Sequence, residues 1–479
     1  MNSQENSSQP LGGSFRDPSG HVFTKNGRIL RTVNPSAAPD FEFVRQTRFY
    51  QEAVRESRLI EARLVDNEEL GEEARQAVYV LEHPALPFVS YPYEWAFSAL
   101  KTAALFHLDF HLEALEHGIT LSDASAYNVQ FIGARPIFID TLSLRRYRSG
   151  ELWAGHSQFC EQFLNPLLLR SLVGVSHNAW YRGTQEGIPT RELRRMLPWR
   201  AKLSRRVLTH VILQDTFQRL AQNKIDAGAV PIQNAQLPLP TFRKLLTDLR
   251  KWIAKLQPAD RERSLWQDYA HRHSYKSEEV KAKAAFVHQF VADNKLRIVW
   301  DIGCNTGDYS VAALQAGAEY VVGFDSDQGV LELAFARARE LRLNFHPLFL
   351  DLANPTPSQG WAQRERHGLQ ERATADGLLA LALLHHLCIA RNVPLAACLR
   401  WLVGLAPCGV IEFVPKDDPM VQVLLRFRKD IFPDYTRDRF LATLSSIAHI
   451  GRKAAVSATG RLLVEFFRSP NHPRMVRVS

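Results

Sequence analysis

The stretch RIVWDIGCNTGDYS, residues 297–310, decides the fold of the C-terminal part of the chain. Its apolar run Ile298-Val299-Trp300 has the length and β-rich composition of a buried strand. Asp301, Gly303 and Gly307 follow, and a helix is expected from about Tyr309. A strand, a glycine turn and a helix in this order let the backbone approach a bulky ligand, because a Cβ at a glycine would take the ligand's place. The loop N–H groups and the helix N-terminus can receive a carboxylate. The spacing is DxGxxxG, whereas a dinucleotide pyrophosphate calls for GxGxxG. An acidic residue before the first glycine suits a ligand with a cationic or amino group. Asp301, Gly303, Asn305 and Gly307 are therefore the first candidate cofactor contacts.

Reading downstream, strand and helix alternate, as a doubly wound α/β sheet requires. A second strand, 320–324, ends in Asp325, which is placed to grip a ribose diol and equally placed to cap a helix. Asp327 caps the helix that follows. A third strand, 344–350, ends in Asp351. A fourth, 377–384, ends in His385-His386, and a fifth, 410–414, carries Glu412. The pattern resembles motif I and its surroundings in class I S-adenosylmethionine-dependent methyltransferases. The resemblance implies a Rossmann-like seven-stranded domain with S-adenosylmethionine as cofactor, and it puts Asp351 on the adenine amino group. It also implies an aromatic lid before the first strand, for which Trp266, Tyr269 and Tyr275 are candidates, Tyr275 as a cofactor contact. Ordinary helix packing explains those aromatics as well.

Methyl transfer from a sulfonium rests on positioning and exclusion of water. A base is needed only where the acceptor is a hydroxyl or a protonated amine. His385 and His386 are the candidates for it, since ligands of open α/β sheets bind at the carboxyl ends of the strands. The sequence does not choose between them.

Upstream, residues 1–14 read as a polar disordered tail without a signal peptide. Residues 15–225 read as an α+β domain, 226–262 as a linker and connecting helix, and 263–479 as the methyltransferase domain. A hairpin is expected over 20–33 around Lys25-Asn26-Gly27. Long helices are expected over 41–64 and 94–117, and short strands over 129–131 and 136–139. Residues 151–220 read as mainly helical. The spacing Asp123-x4-Asn128, a hairpin and Asp140 resembles the catalytic loop and metal segment of protein kinases and aminoglycoside-type phosphotransferases. The departures are large: Leu121 stands where the first histidine belongs, and Thr-Leu follows Asp140 in place of Phe-Gly. No glycine-rich phosphate loop or VAIK lysine is recognisable, although Lys25 or Arg31 could substitute. The expectation is a degenerate kinase-like module without phosphoryl transfer. Turn-capping by Asp123 and Asn128 is the simpler alternative.

Charge and composition narrow the partners. The chain has 59 Lys+Arg against 50 Asp+Glu and a net charge of +9. Seven of the basic residues fall in Arg191–Arg206, but only Trp199 is interleaved with them. A solvated helical face is expected there, and nucleic acid is not expected as a partner. The five cysteines form no CxxC pair. This argues against a disulfide framework and a zinc site, so no metal is expected, and it favours a reducing compartment. The apolar runs 377–390 and 96–115 are too short or too charged to span a bilayer. A cytoplasmic protein is expected.

Across most of its length the chain resembles the NoeA-type nodulation proteins of rhizobia. The resemblance is carried by YPYEW (91–95), DASAYNVQF (123–131), FIDTLS (138–143), VWDIGCNTGDYS (299–310) and EFVPKDDPMV (412–421). It implies host-specific nodulation and modification of a secreted signal, hence a small-molecule or glycan acceptor. Two competing readings stand beside methyl transfer. One is a scaffold in which both folds have lost catalysis, against which the intact DxGxxxG and Asp325 speak. The other is a small-molecule kinase with an accessory methyltransferase fold.

Overall fold

The computed structural model describes residues 9–10, 12–66, 74, 76–213, 236–259, 277–426 and 429–469. The chain divides into two compact units. The first comprises Met1–Phe131, Arg135–Glu262 and Gln359–Arg366, and the second Ile132–Ala134, Arg263–Ser358 and His367–Ser479. Among the described residues no helix is long and apolar enough to cross a membrane.

The first unit opens with β1 (Gln9–Pro10), β2 (Val22–Lys25) and β3 (Arg28–Val33). Asn26 and Gly27, at φ 51° and 73°, close the β2–β3 hairpin. Such a two-residue turn needs positive φ at both positions, which Asn and Gly adopt most readily. With β4 (Arg63–Val65) and β5 (Tyr79–His83) these strands form an antiparallel sheet in the order β1-β2-β3-β5-β4. Two small pairings follow: β6 (Ile119–Leu121) with β9 (Leu144–Arg146), and β7 (Val129–Ile132) with β8 (Arg135–Phe138). The helix Phe97–Glu116 precedes them and buries Leu100, Ala103, Ala104 and Leu108. Gly118, at φ 71°, ends that helix in the left-handed conformation a C-terminal glycine supplies.

Two expectations fail here. The tail is not wholly disordered, because Gln9–Pro10 pair with β2 and Ser14–Arg16 form a helical turn. The helix expected over 41–64 is two helices, Ala38–Arg45 and Arg48–Arg55, and the chain then enters β4. Thr47 causes the break: at ψ 151° its hydroxyl accepts from the Tyr50 N–H and starts a new helix. The linker proposed from 226 lies outside the described residues as far as 235.

The second unit is a mixed α/β layer structure around one sheet. Its strands are β10 (Ile298–Ile302), β11 (Tyr320–Asp325), β12 (Phe345–Phe349), β13 (Gly377–Ala380), β14 (Cys408–Phe413), β15 (His449–Ala455) and β16 (Leu462–Phe467). They lie in the order β12-β11-β10-β13-β14-β16-β15. The first five run parallel, while β16 is antiparallel to both β14 and β15. The inner strands are buried along almost their whole length, as a sheet covered on both faces demands. Helices Ser277–Asn294, Asp308–Gln315, Gln328–Glu340 and Leu395–Leu405 connect or precede these strands. Strand order reverses at β10, which pairs β11 on one side and β13 on the other. At such a reversal the connections leave in opposite directions and open a crevice at the carboxyl ends.

Strand four is shorter than expected. It stops at Ala380, and Ala382 turns the chain at φ 48°. His386 therefore begins the π-helical turn after the strand and His385 precedes that turn, so neither is at the strand's end.

Candidate active site in the second unit

A cavity of about 600 Å³ opens at that reversal. Gly303, Asn305, Asp325, Asp351, His385 and His386 are on its wall, whereas Asp301 and Gly307 are not. The loop after β10 is tightly coiled, with Gly303, Asn305 and Gly307 at φ 83°, 51° and 85°. Its two glycines have different reasons. A Cβ on Gly307 would lie 2.5 Å from the Phe345 ring, so packing requires glycine there. A Cβ on Gly303 would make only ordinary contacts, none nearer than 3.6 Å, so protein packing alone does not require glycine there.

Asp325 ties the site together. Its carboxylate accepts from the Asn305 and Asp327 backbone N–H groups, each at 2.9 Å. Burial pushes its pKa up, and these hydrogen bonds oppose the shift. Asp327 caps the helix Gln328–Glu340 as expected, accepting from Gly329 and Val330. Asp351 is half-buried and accepts from the Ala353 N–H at 3.0 Å.

Asp301 has a different place. It is 1% exposed, receives the Ser310 hydroxyl at 2.6 Å, and is pushed up to about 7, chiefly by burial. It anchors the helix after the loop and is not a wall residue. A carboxyl with a raised folded pKa stabilises fully below its unfolded value near 3.9 and loses that advantage as pH rises through about 7. Asp301→Asn keeps an acceptor for Ser310 and removes the ionisation. Its thermal midpoint relative to wild type should rise by several degrees, about 2–3 kcal/mol, between pH 5 and pH 8. Scanning calorimetry at the two pH values checks this, and an unchanged difference would refute the buried-carboxyl account.

The far wall holds charges that the sequence reading did not assemble. The Lys283 ammonium lies 2.7 Å from Glu412, both essentially fully buried. Glu412 also accepts from the Ala382 N–H at 2.9 Å and lies 3.5 Å from the Arg461 guanidinium. Arg461 in turn makes a forked contact with Asp418 at 2.7 and 3.0 Å. Lys283 and Arg461 both line the cavity. The available signal was Glu412 itself, since a carboxylate on an otherwise apolar inner strand needs a cation beside it.

His385 and His386 pack against each other with ring centroids 4.2 Å apart and planes tilted by 39°. Burial, more than any neighbouring charge, lowers both: His386 to about 4, His385 well below its usual value. Both rings are neutral at pH 7. Among the described residues the His385 Nδ1 is buried with no hydrogen-bond partner. The aromatic lid candidates Trp266, Tyr269 and Tyr275 lie outside the described residues.

The acidic motif of the first unit also gathers. Asn128 donates to both Asp123 oxygens at 3.0 and 3.2 Å. Asp140 caps a helical turn by accepting from the Leu142 N–H and pairs with Arg31 at 2.7 Å. Arg31 reaches Asp17 at 2.6 Å as well. Burial first, then Asp140, pushes Asp123 up to about 7.

No family model matches the chain. Among solved structures it resembles the magnesium protoporphyrin IX methyltransferase ChlM from Synechocystis PCC 6803 with bound SAH, at 19% identity and TM-score 0.30. That match covers 41% of this chain and 89% of the other. It also resembles the N-methyltransferase NodS from Bradyrhizobium japonicum WM9, at 9% identity and TM-score 0.30, covering 40% of this chain and 98% of the other. A curated relative is far nearer. The nodulation protein NoeA of Rhizobium meliloti (strain 1021) is 46% identical over 463 residues, 96% of each chain. On that likeness, which runs through both units, the chain belongs to the NoeA family of nodulation proteins.

Proposed function

We propose that the second unit is a class I S-adenosylmethionine-dependent methyltransferase, acting on a small-molecule or glycan acceptor in nodulation. The observation that carries this reading is the crevice at the sheet's reversal, walled by the Gly303–Asn305 loop and Asp325. The residues fit the cofactor. Gly303 is on the cavity wall and packing does not demand a glycine there, which suits an amino-acid moiety that approaches the backbone. Asp325 retains acceptor capacity for a ribose diol, and Asp351 is one strand further along the same edge for the adenine amino group.

The bound cofactor would supply an electrophilic methyl group on a cationic sulfur. The protein's part is positioning and exclusion of water. Asp301 acts through Ser310 as a positioning residue for the loop. The Lys283–Glu412–Arg461 cluster fixes the opposite wall and leaves little mobile charge there. His385 or His386, both neutral at pH 7, can accept a proton from an acceptor hydroxyl or ammonium at a ring nitrogen. Mass spectrometry after incubation of the full chain with labelled S-adenosylmethionine and cell extract tests the reading. A product one methyl group heavier is expected, and label that never leaves the cofactor would count against catalysis.

Phosphoryl transfer by the first unit is the second reading, favoured by the gathering of Asp123, Asn128 and Asp140 beside Arg31. The same ion pair argues against it, because Asp140 is held by Arg31 and a backbone N–H. Wild type is expected to show no magnesium-dependent ATP hydrolysis. Asp140→Asn should lower the stability of the first unit by about 1–3 kcal/mol and leave methyl transfer within about twofold. Hydrolysis that is present in wild type and lost in Asp140→Asn would overturn this and favour a phosphotransferase.

A further inference from the structure

The first unit contains a second cluster of chemistry-bearing side chains. His156 and Cys160 are one helical turn apart, on the helix His156–Phe159 and at the start of the π-helical turn Cys160–Leu164. Residues four apart on a helix share a face. His210 comes from a separate π-helical stretch, Leu208–Leu213. Such widened turns are frequent at functional sites. Cys160 and His210 are buried and His156 is partly exposed.

We propose that His156, Cys160 and His210 bind a zinc-type transition-metal ion through the His156 Nε2, the Cys160 Sγ and the His210 Nδ1. The distances carry the assignment. The His156 Nε2 lies 3.4 Å from the His210 Nδ1 and 3.7 Å from the Cys160 Sγ. All three ligand atoms lie within 4.8 Å of one another. A tetrahedral ion with metal–nitrogen bonds of about 2.0–2.1 Å and a metal–sulfur bond of about 2.3 Å holds its ligands about 3.4 Å (N···N) and about 3.6 Å (N···S) apart. The two His156 separations match those spacings, and the Cys160–His210 pair lies within 4.8 Å, close enough to complete the set with a small side-chain adjustment. For a direct hydrogen bond between two imidazoles, 3.4 Å is long against the usual 2.9–3.0 Å or so.

The donor chemistry agrees. One thiolate with two imidazoles is a borderline-soft set suited to zinc and to copper, and unsuited to magnesium or calcium. Burial lowers His156 and His210 to about 4, so both imidazoles are neutral and able to ligate at pH 7. Cys160 would release its thiol proton to solvent as the metal–sulfur bond forms. The Trp153 ring, 5.3 Å from His156, and the Trp252 ring, 5.9 Å from His210, form an apolar surround. Three protein ligands leave a fourth position for water or an exogenous ligand, as zinc sites with a chemical role do. The expectation of no metal looked only for cysteine pairs. It passed over His156-x3-Cys160 because the third ligand is fifty positions away in sequence.

The test uses the full chain. Chelator-treated wild type is titrated with zinc and, separately, with cobalt(II). One equivalent of zinc is expected to raise the thermal midpoint. Cobalt(II) is expected to give the intense visible bands of a tetrahedral site together with a thiolate-to-cobalt charge-transfer band. Cys160→Ser should abolish the charge-transfer band, and His210→Ala should weaken metal affinity by more than about 100-fold, beyond the cost of losing an outer-shell partner. Circular dichroism reports whether each variant folds. The wild-type cobalt spectrum stands on its own if a variant does not. Folded wild type that gives an octahedral cobalt spectrum without a charge-transfer band, and no thermal shift with zinc, would overturn the assignment. So would a Cys160→Ser variant that keeps the charge-transfer band.

Discussion

Asp325→Ala is expected to lower the affinity for S-adenosylmethionine at least about 100-fold. Two hydroxyl-to-carboxylate hydrogen bonds, each worth about 1.5–3 kcal/mol, disappear together. The loss reaches further than the ribose. The same carboxylate accepts from the Asn305 and Asp327 N–H groups at 2.9 Å, so it holds the glycine loop against the start of the next helix. Asp325→Asn keeps the shape and one acceptor oxygen and should fall between wild type and alanine. Isothermal calorimetry on the three proteins checks the order. Equal affinities for alanine and wild type, on folded protein, would remove Asp325 from the cofactor site.

Acid is expected to destabilise the protein steeply between about pH 6.5 and pH 4. Burial lowers His107, His177 and His346 to about 3, and His156, His210 and His386 to about 4. It also lowers His111 and His385 well below their usual value. Each of these imidazoles stays neutral in the folded chain and takes a proton near pH 6.5 once unfolded. Folding is therefore unpenalised above about 6.5, and stability falls as pH drops from there toward the folded values. Asp123 and Asp301, raised to about 7, and Asp325, raised to a lesser extent, pull the other way. Their protonated forms favour the folded chain as pH falls below 7. The eight histidines outnumber the three carboxyls, and each unmatched proton is worth about 1.4 kcal/mol per pH unit. A drop of more than about 10 °C in the thermal midpoint from pH 7.5 to pH 5 follows. A midpoint constant over that range would mean the histidines are hydrated or paired in a way the structure does not have.

The glycine loop was readable in sequence because its constraints are local. An apolar strand, an acid and two glycines within ten residues leave few other structures, and the strand–helix alternation afterwards follows from periodicity. The far wall was not readable. Lys283, Glu412 and Arg461 are more than a hundred and seventy positions apart from end to end and meet only when the helix Ser277–Asn294, β14 and the start of β16 come together. The place of Asp301 was not readable for a related reason. Its spacing fits a ligand contact, but which way a strand-end side chain faces depends on the helix that covers it, here through Ser310. The helix break at Thr47 was missed because the apolar pattern runs through it unchanged, and only the hydroxyl's hydrogen bond to Tyr50 marks the new start.

The central claim is that the Gly303–Gly307 loop and Asp325 form a methyl-donor site. Calorimetric titration of the full chain with S-adenosylmethionine and with its demethylated product tests it most directly. One site per chain for each ligand, both lost in Gly303→Val, is the predicted result. At φ 83° a β-branched residue is strained, and its side chain would fill the space beside the loop. Folded wild type that gives no heat with either ligand, or a Gly303→Val variant that binds as wild type does, would contradict it.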